Sequence, residues 1–125
     1  MKRRGLLAAA VLFVAGLPAT AQDASKGEAV FKRCRACHAI GPGAKNKAGP
    51  ALTGVVGRKA GSAPGFNYSD AMKEAGSKGI VWTEGNLAKY LEAPDTFVPN
   101  NVMAFPGIKN DGERKDLIAF LKLHK

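Results

Sequence analysis

The chain has 125 residues and carries 19 lysines and arginines against 10 aspartates and glutamates, which gives a net charge of +9. This length predicts a single domain with a modest core. The positive charge suits an acidic protein, a membrane surface or a nucleic acid as partner. The sequence has no long run of lysine and arginine, which argues against nucleic acid.

The first 21 residues predict a secretory signal peptide that is cleaved from the mature protein. Residues 2–4 are basic, residues 5–18 are almost entirely apolar, and residues 19–21 form an A-x-A cleavage pattern. The apolar run falls short of the roughly 20 residues that span a bilayer, and an uncleaved membrane anchor is the alternative. We expect residues 22–125, with 16 basic and 10 acidic side chains, to form a soluble protein of the periplasm.

Apolar residues that recur every three or four positions predict an all-α fold with about three to five helices. The predicted helices run from Ala24 to about Cys34, from Ser69 through Ala75, from Thr83 to the residue before Pro94, and from about Asp111 toward the C-terminus. Asp23 or Ser25 would cap the first helix, and Thr83 would cap the third. The remaining segments are expected to be loops.

The first and last helices are expected to cross at Gly27, because a glycine permits close approach of a second helix. Phe31 would then pack against Leu117 and Phe120 on the apolar side of the last helix. The opposite side of that helix is expected to face solvent. It carries Glu113, Arg114, Lys115 and Lys122.

Long loops rich in glycine and proline separate the predicted helices, chiefly over residues 39–67 and 95–110. Loops of this length without secondary structure are uncommon in a compact domain. They are understandable if the chain wraps around a bound group that supplies the missing core.

Residues 34–38 read Cys-Arg-Ala-Cys-His, which is the C-x-x-C-H pattern of covalent haem attachment. Two cysteines three positions apart, near the end of a helix, can each form a thioether bond to a vinyl group of one haem. The imidazole of His38 then falls next to the iron as an axial ligand. The motif therefore predicts one haem c that is held by Cys34 and Cys37.

Three other interpretations of this motif agree less well with the rest of the sequence. A disulfide oxidoreductase would place C-x-x-C near a strand–helix–strand pattern, which the sequence does not show. A structural zinc site would need both cysteines and both histidines as ligands, and Cys37 and His38 are adjacent. A plain structural disulfide would leave His38 and the long loops unexplained.

The second axial ligand of the iron has three candidates, Met72, Met103 and His124, or is absent. Met72 lies on a predicted helix, where methionine usually fills the core, and His124 is the penultimate residue. Met103 lies in loop 98–107, which contains a proline near each end and is long enough to cross the far face of a haem. We favour Met103. Its thioether would raise the reduction potential, and two protein ligands would leave no open iron position for catalysis.

Taken in order along the chain, these features resemble class I cytochrome c, close to the mitochondrial proteins and to the short bacterial c-two type. The resemblance runs from Gly27 to about Lys122 without large insertions. It is carried by residues 27–31, 34–38, 49–52, 57–61, 66–71, 82–84, 90–94, 103–107 and 116–121. The C-x-x-C-H motif alone would indicate the haem, whereas the ordered set indicates the class.

The resemblance implies that nine residues surround one haem c. These are Cys34, Cys37, His38, Pro50, Arg58, Tyr68, Trp82, Tyr90 and Met103. His38 and Met103 would be the axial ligands. The carbonyl of Pro50 would accept the second N–H of the imidazole and so fix the orientation of the ring.

The remaining implied roles concern polar and aromatic side chains. Arg58, Tyr68 and Trp82 would meet the haem propionates, since buried carboxylates need charged or hydrogen-bonding partners. Tyr90 would lie near the sulfur of Met103. Ordinary aromatic packing is the alternative for Tyr68, Trp82 and Tyr90.

The resemblance further implies a monomeric electron carrier that is not an enzyme. It would accept electrons from a cytochrome bc complex, or from a periplasmic dehydrogenase, and pass them to a terminal oxidase or photosynthetic reaction centre. It would touch the membrane only through these partners. Basic residues at the exposed haem edge, Arg33, Lys45 and Lys47, would steer it onto acidic partner surfaces. A haem enzyme or gas sensor is the alternative, and it would need an open iron position.

Overall fold

A computed structural model describes Gly5, residues 7–13 and residues 22–125. These residues form five helices, namely α1 (Ala24–Phe31), α2 (Asp70–Ser77), α3 (Glu84–Glu92), α4 (Pro94–Phe97) and α5 (Asp111–Lys122). Over the same residues the β structure consists of one isolated antiparallel bridge, between Lys59 and Val81. The predicted all-α class with three to five helices is confirmed. The predicted signal peptide lies mostly outside the described residues and stays a prediction.

Side-chain caps explain where the four longer helices begin. The capping residues of α1, α2, α3 and α5 are Asp23, Ser69, Thr83 and Asn110. Each accepts a hydrogen bond from an N–H group in the first helical turn, which otherwise has no partner.

Helix α4 has no counterpart in the sequence-based prediction, which treated residues 95–110 as irregular. Pro94 ends the preceding helix, but it also stands at the first position of α4. A proline is well tolerated there because the missing N–H would have no partner within the helix and the fixed φ angle suits the helix. The same residue therefore separates α3 from α4.

Helix α1 ends at Phe31, which is earlier than the predicted end near Cys34. The N–H groups of Arg33 and Cys34 donate to the carbonyls of Val30 and Phe31, three residues back, at 3.1 and 2.8 Å. Hydrogen bonds between residues three positions apart wind the chain that follows α1 more tightly than an α-helix. The N–H of His38 then donates to the carbonyl of Cys34 at 2.9 Å, so the attachment motif forms a compact turn.

The predicted crossing of α1 and α5 at Gly27 is confirmed. A Cβ atom at position 27 would lie 1.9 Å from the carbonyl oxygen of Asp116, so only a glycine allows this approach. Phe31 is fully buried, and its ring centroid lies 5.3 Å from that of Phe120. Leu117 is also buried. The two terminal helices therefore close the core of the domain.

Arg114 corrects the prediction that it faces solvent with its charged neighbours. Its residue surface is only 8% exposed. The guanidinium donates to the carbonyl of Ile108 at 2.7 Å and to the carboxylate of Asp111 at 3.2 Å. Arg114 thus fastens the start of α5 to the end of the preceding loop.

Candidate functional site

A cavity of about 530 Å³ lies within this fold. Its volume falls in the range of about 300–1,000 Å³ that is usual for cofactor and small-molecule sites. All nine residues that the resemblance placed around a haem line this one cavity. They are Cys34, Cys37, His38, Pro50, Arg58, Tyr68, Trp82, Tyr90 and Met103. The long loops therefore bring residues that are far apart in the sequence together around one cavity.

The imidazole of His38 is fixed by a hydrogen bond to the backbone. Its Nδ1 lies 2.7 Å from the carbonyl oxygen of Pro50. A carbonyl can only accept, so Nδ1 carries the proton and Nε2 keeps its lone pair. Burial lowers the pKa of His38, although the bond to Pro50 opposes this shift. His38 is therefore a neutral imidazole with a nitrogen free to bind a metal.

Gly49 is a site residue that the sequence analysis did not single out. A Cβ atom at this position would lie 2.4 Å from Cε1 of His38, so the ring packs directly on the backbone. The N–H of Gly49 donates to the carbonyl of Cys37 at 2.8 Å. The Gly-Pro pair at positions 49 and 50 is the sequence signal for this contact, because it supplies a bare backbone next to an acceptor.

The two cysteines are not joined to each other in a disulfide. Burial raises the pKa of Cys34, and Cys37 is exposed at the edge of the cavity. Neither thiol is engaged in the structural disulfide that was considered as an alternative. Among Gly5, residues 7–13 and residues 22–125, no three His, Cys, Asp or Glu side chains cluster as a metal site. Both thiols are thus placed to react with a group in the cavity.

The sulfur of Met103 faces a tyrosine hydroxyl. Oη of Tyr90 lies 3.8 Å from Sδ of Met103, within reach of a weak hydrogen bond to sulfur. Burial, and secondarily the charge of Asp95, raises the pKa of Tyr90 to about 12. The hydroxyl therefore keeps its proton at neutral pH and can donate a hydrogen bond to the thioether sulfur.

The three residues that the sequence offers as the second iron ligand lie in different surroundings. Met72 and Met103 both line the cavity. His124 lines a separate, smaller cavity, where its ring packs 4.9 Å from that of Phe120. Contact with Tyr90 distinguishes Met103 from Met72.

One wall of the cavity is rich in hydrogen-bond donors. The terminal nitrogens of Arg58 donate to the carbonyls of Ala51 and Thr53 at 3.2–3.3 Å, while its Nε is buried without a hydrogen-bond partner. The hydroxyl of Tyr68 accepts the N–H of Ala63 at 2.9 Å, which leaves its own proton available.

This wall suits carboxylates, because a cation and a spare donor lie beside an otherwise mostly apolar cavity. The residues present therefore fit a haem with its propionates toward Arg58.

A helical fold that wraps such a cavity, with a C-x-x-C-H turn and a fixed neutral imidazole in its wall, defines a c-type haem protein. The family model described as cytochrome c matches residues 24–125. The chain belongs to the cytochrome c family and is of the class I, cytochrome c2 type. Its cofactor is accordingly one haem c, bound covalently through Cys34 and Cys37.

Known cytochromes c2 are similar to this chain over most of their length. Cytochrome c2 of Agrobacterium tumefaciens is 57% identical over 99 residues, which cover 79% of this chain and 89% of that protein. Cytochrome c2 of Blastochloris viridis is 49% identical over 112 residues, 90% of this chain and 86% of that protein. The solved structure of cytochrome c2 from Rhodospirillum centenum superposes with a TM-score of 0.79 at 45% identity, covering 82% and 98% of the two chains. The protein is a mono-haem electron carrier.

Among the residues that the structure describes, none of the helices has the length and apolar character needed to cross a membrane.

Proposed function

We propose that this protein shuttles single electrons through the periplasm and is not an enzyme. The observation that carries the proposal is that the neutral imidazole of His38 and the thioether of Met103 line the same cavity. The haem supplies a reversible one-electron change between ferric and ferrous iron. His38 Nε2 and Met103 Sδ would both bind its iron, so no iron position would remain open for a substrate.

The contacts of these two residues would set the reduction potential. A thioether ligand raises the potential relative to a second nitrogen ligand, because it stabilises ferrous iron. The hydroxyl of Tyr90 would hold the thioether in place from the protein side. The carbonyl of Pro50 would hold the imidazole in one tautomer and orientation. Little rearrangement is then needed when the electron arrives or leaves.

The donor-rich wall would bind the propionates. Arg58 would supply a positive charge, and the free hydroxyl proton of Tyr68 would supply a hydrogen bond. Trp82 is 6% exposed and packs 4.9 Å from the ring of Tyr90, so it would connect this wall to the residues around Met103. These residues would exclude water from two buried carboxylates while balancing their charge.

The proposed partners are redox proteins with acidic docking surfaces. The donor would be a cytochrome bc complex or a periplasmic dehydrogenase, and the acceptor a terminal oxidase or photosynthetic reaction centre. Small redox interfaces of this kind are weak and short-lived. The excess of basic residues in 22–125 supports electrostatic attraction to such surfaces.

The three cations predicted to steer docking differ in their contacts. Arg33 forms a bidentate pair with Glu113 at 2.9 and 3.1 Å, which neutralises its charge locally. Nζ of Lys47 donates to the carbonyl of Arg35 at 2.7 Å but keeps its charge. Lys45 is exposed. We therefore expect Lys45 and Lys47 to contribute more to steering than Arg33.

Washed membranes from the source organism test the proposed partners. The reduced protein is expected to be oxidised by these membranes, and the inhibitor profile identifies the acceptor. Cyanide sensitivity indicates a terminal oxidase, and a requirement for light indicates a reaction centre. Reduction by quinol indicates a bc complex, whereas reduction only by a periplasmic extract with a dehydrogenase substrate indicates the other donor. Absence of all these reactions would contradict the proposal.

The salt dependence of the same reaction tests steering. The second-order rate should fall as ionic strength rises, because about 0.1 M salt screens charges beyond roughly 10 Å. At low salt, Lys45→Gln should slow oxidation by about two- to fivefold, the size of an exposed charge interaction. Arg33→Gln is the matched control and should have a smaller effect. A rate that is independent of ionic strength would contradict steering by these residues.

A further inference from the structure

The chain makes a tight turn just before Met103. The N–H of Asn101 donates to the carbonyl of Val98 at 3.2 Å, with Pro99 and Asn100 between them. Asn100 has a φ of 64°. Proline at the second position and a positive φ at the third are the pattern of a type II turn, and asparagine is among the residues that tolerate this φ best. The turn fixes the direction in which the chain reaches Met103.

The carboxamide of Asn101 spans this turn and uses both of its ends. Its Nδ2 donates to a carboxylate oxygen of Asp95 at 2.9 Å and to the carbonyl of Val98 at 3.0 Å. Its Oδ1 accepts the backbone N–H of Met103 at 3.0 Å. Reversing the amide would set acceptor against acceptor and donor against donor, so the partners determine its orientation.

These bonds connect the ligand loop to the helices behind it. Asp95 belongs to α4, which follows directly on α3. Tyr90 on α3 contacts the sulfur of the same methionine whose N–H is bound by Asn101. The side chain of Met103 is therefore contacted by a residue of α3, and its backbone is bound by Asn101, whose carboxamide is anchored to α4 through Asp95.

The far end of the loop has a separate anchor. The N–H of Ile108 donates to the carbonyl of Leu91 at 2.7 Å, and Arg114 donates to the carbonyl of Ile108. These contacts begin five residues beyond Met103. They fix the exit of the loop, whereas Asn101 fixes the segment that carries the sulfur.

We propose that Asn101 is a positioning residue that keeps the sulfur of Met103 at the iron. The proposal rests on the role of Met103 in the proposed function. An external ligand can displace the thioether only if the segment around Met103 swings away from the cavity. That movement breaks hydrogen bonds of the Asn101 carboxamide, so Asn101, which also lines the cavity, opposes ligand exchange without itself binding the iron.

Binding of imidazole to the ferric holoprotein measures this effect. Asn101→Ala should raise the apparent affinity for imidazole by about tenfold, which corresponds to the loss of one or two hydrogen bonds of ordinary net strength. Asp95→Asn should resemble the unmodified protein, because an amide oxygen still accepts from Asn101 while the charge is removed. An equal effect of both variants on the imidazole affinity would show that the charge of Asp95, and not the hydrogen bonds of Asn101, controls ligand exchange. That result would overturn the proposal.

Asn46→Ala is the matched control for a general loss of stability. Asn46 also accepts a backbone N–H, that of Ala51, and donates to the carbonyl of Pro64, both at 2.9 Å. It does not line the cofactor cavity among the residues described. Its loss should leave the imidazole affinity unchanged. A similar gain in affinity in both asparagine variants, or no gain beyond twofold in Asn101→Ala, would overturn the proposal.

Two further measurements keep the test decisive. If Asn101→Ala does not fold, hydrogen exchange of the Met103 amide in the unmodified holoprotein replaces it: protection supports the proposal, and exchange at the unprotected rate overturns it.

The far-red absorption band of the unmodified ferric protein reports methionine ligation. Its absence would contradict the role of Met103 itself, whereas its presence with an unchanged Asn101→Ala affinity would contradict only the role of Asn101.

Discussion

Replacing Met103 with alanine is expected to lower the reduction potential by on the order of 0.1 V or more, within the roughly 0.8 V over which axial ligands tune haem. The thioether that we propose as an iron ligand would be lost, and with it the stabilisation of ferrous iron that a thioether gives; Tyr90 would lose the acceptor that its hydroxyl faces. The far-red band of the ferric protein should disappear, and one side of the iron should become open to external ligands. An optical redox titration measures both the potential and the band.

Met72→Leu is the control for this substitution, because Met72 is the other methionine that lines the cavity. The exchange conserves volume and removes a sulfur atom, so it should cost less than about 1.5 kcal/mol in stability and leave the far-red band in place. The opposite result, with the band lost in Met72→Leu and retained in Met103→Ala, would show that Met72 is the ligand.

Replacing Gly27 with alanine is expected to destabilise the folded protein by roughly 1–3 kcal/mol, the usual range for overpacking. The added methyl carbon would lie 1.9 Å from the carbonyl oxygen of Asp116 and 2.8 Å from Cβ of Phe120. These are a backbone atom and the first atom of a side chain, so neither can turn away, and α5 must move. The measurement is denaturant unfolding of the holoprotein.

Gly85→Ala provides a matched control for the exchange of glycine for alanine in a helix. Gly85 lies in α3, and an added Cβ atom would meet nothing within 4 Å. Alanine there should leave stability unchanged or raise it by up to roughly 1 kcal/mol, because it restricts the unfolded chain. Equal stability of Gly27→Ala and the unmodified protein would contradict the close crossing of α1 and α5.

Local sequence signals were sufficient for much of the fold. The caps at Asp23 and Thr83 and the periodic apolar residues mark helix starts and buried faces, and both are properties of a few neighbouring residues. The crossing at Gly27 followed from one residue with no side chain on an apolar face. The residues of the cavity followed from the C-x-x-C-H motif and the ordered family resemblance, since spacing alone could not bring Arg58 and Met103 together.

The features that the sequence did not reveal depend on tertiary contacts. Arg114 looks like its exposed charged neighbours in sequence, and its burial follows from the carbonyl of Ile108 on a different segment. Gly49 gains its role only once the ring of His38 lies on it. Asn101 resembles any polar loop residue until the turn places its amide between Asp95 and the backbone of Met103.

Addition of carbon monoxide to the reduced protein at neutral pH tests the central claim most directly. If His38 and Met103 both bind the iron, the absorption spectrum should stay that of the ferrous protein without carbon monoxide, because no iron position would be vacant. Rapid formation of a carbon monoxide complex by the native, fully folded protein would show an open iron position. It would contradict the account of this chain as an electron carrier with two protein ligands and would favour a haem enzyme or gas sensor.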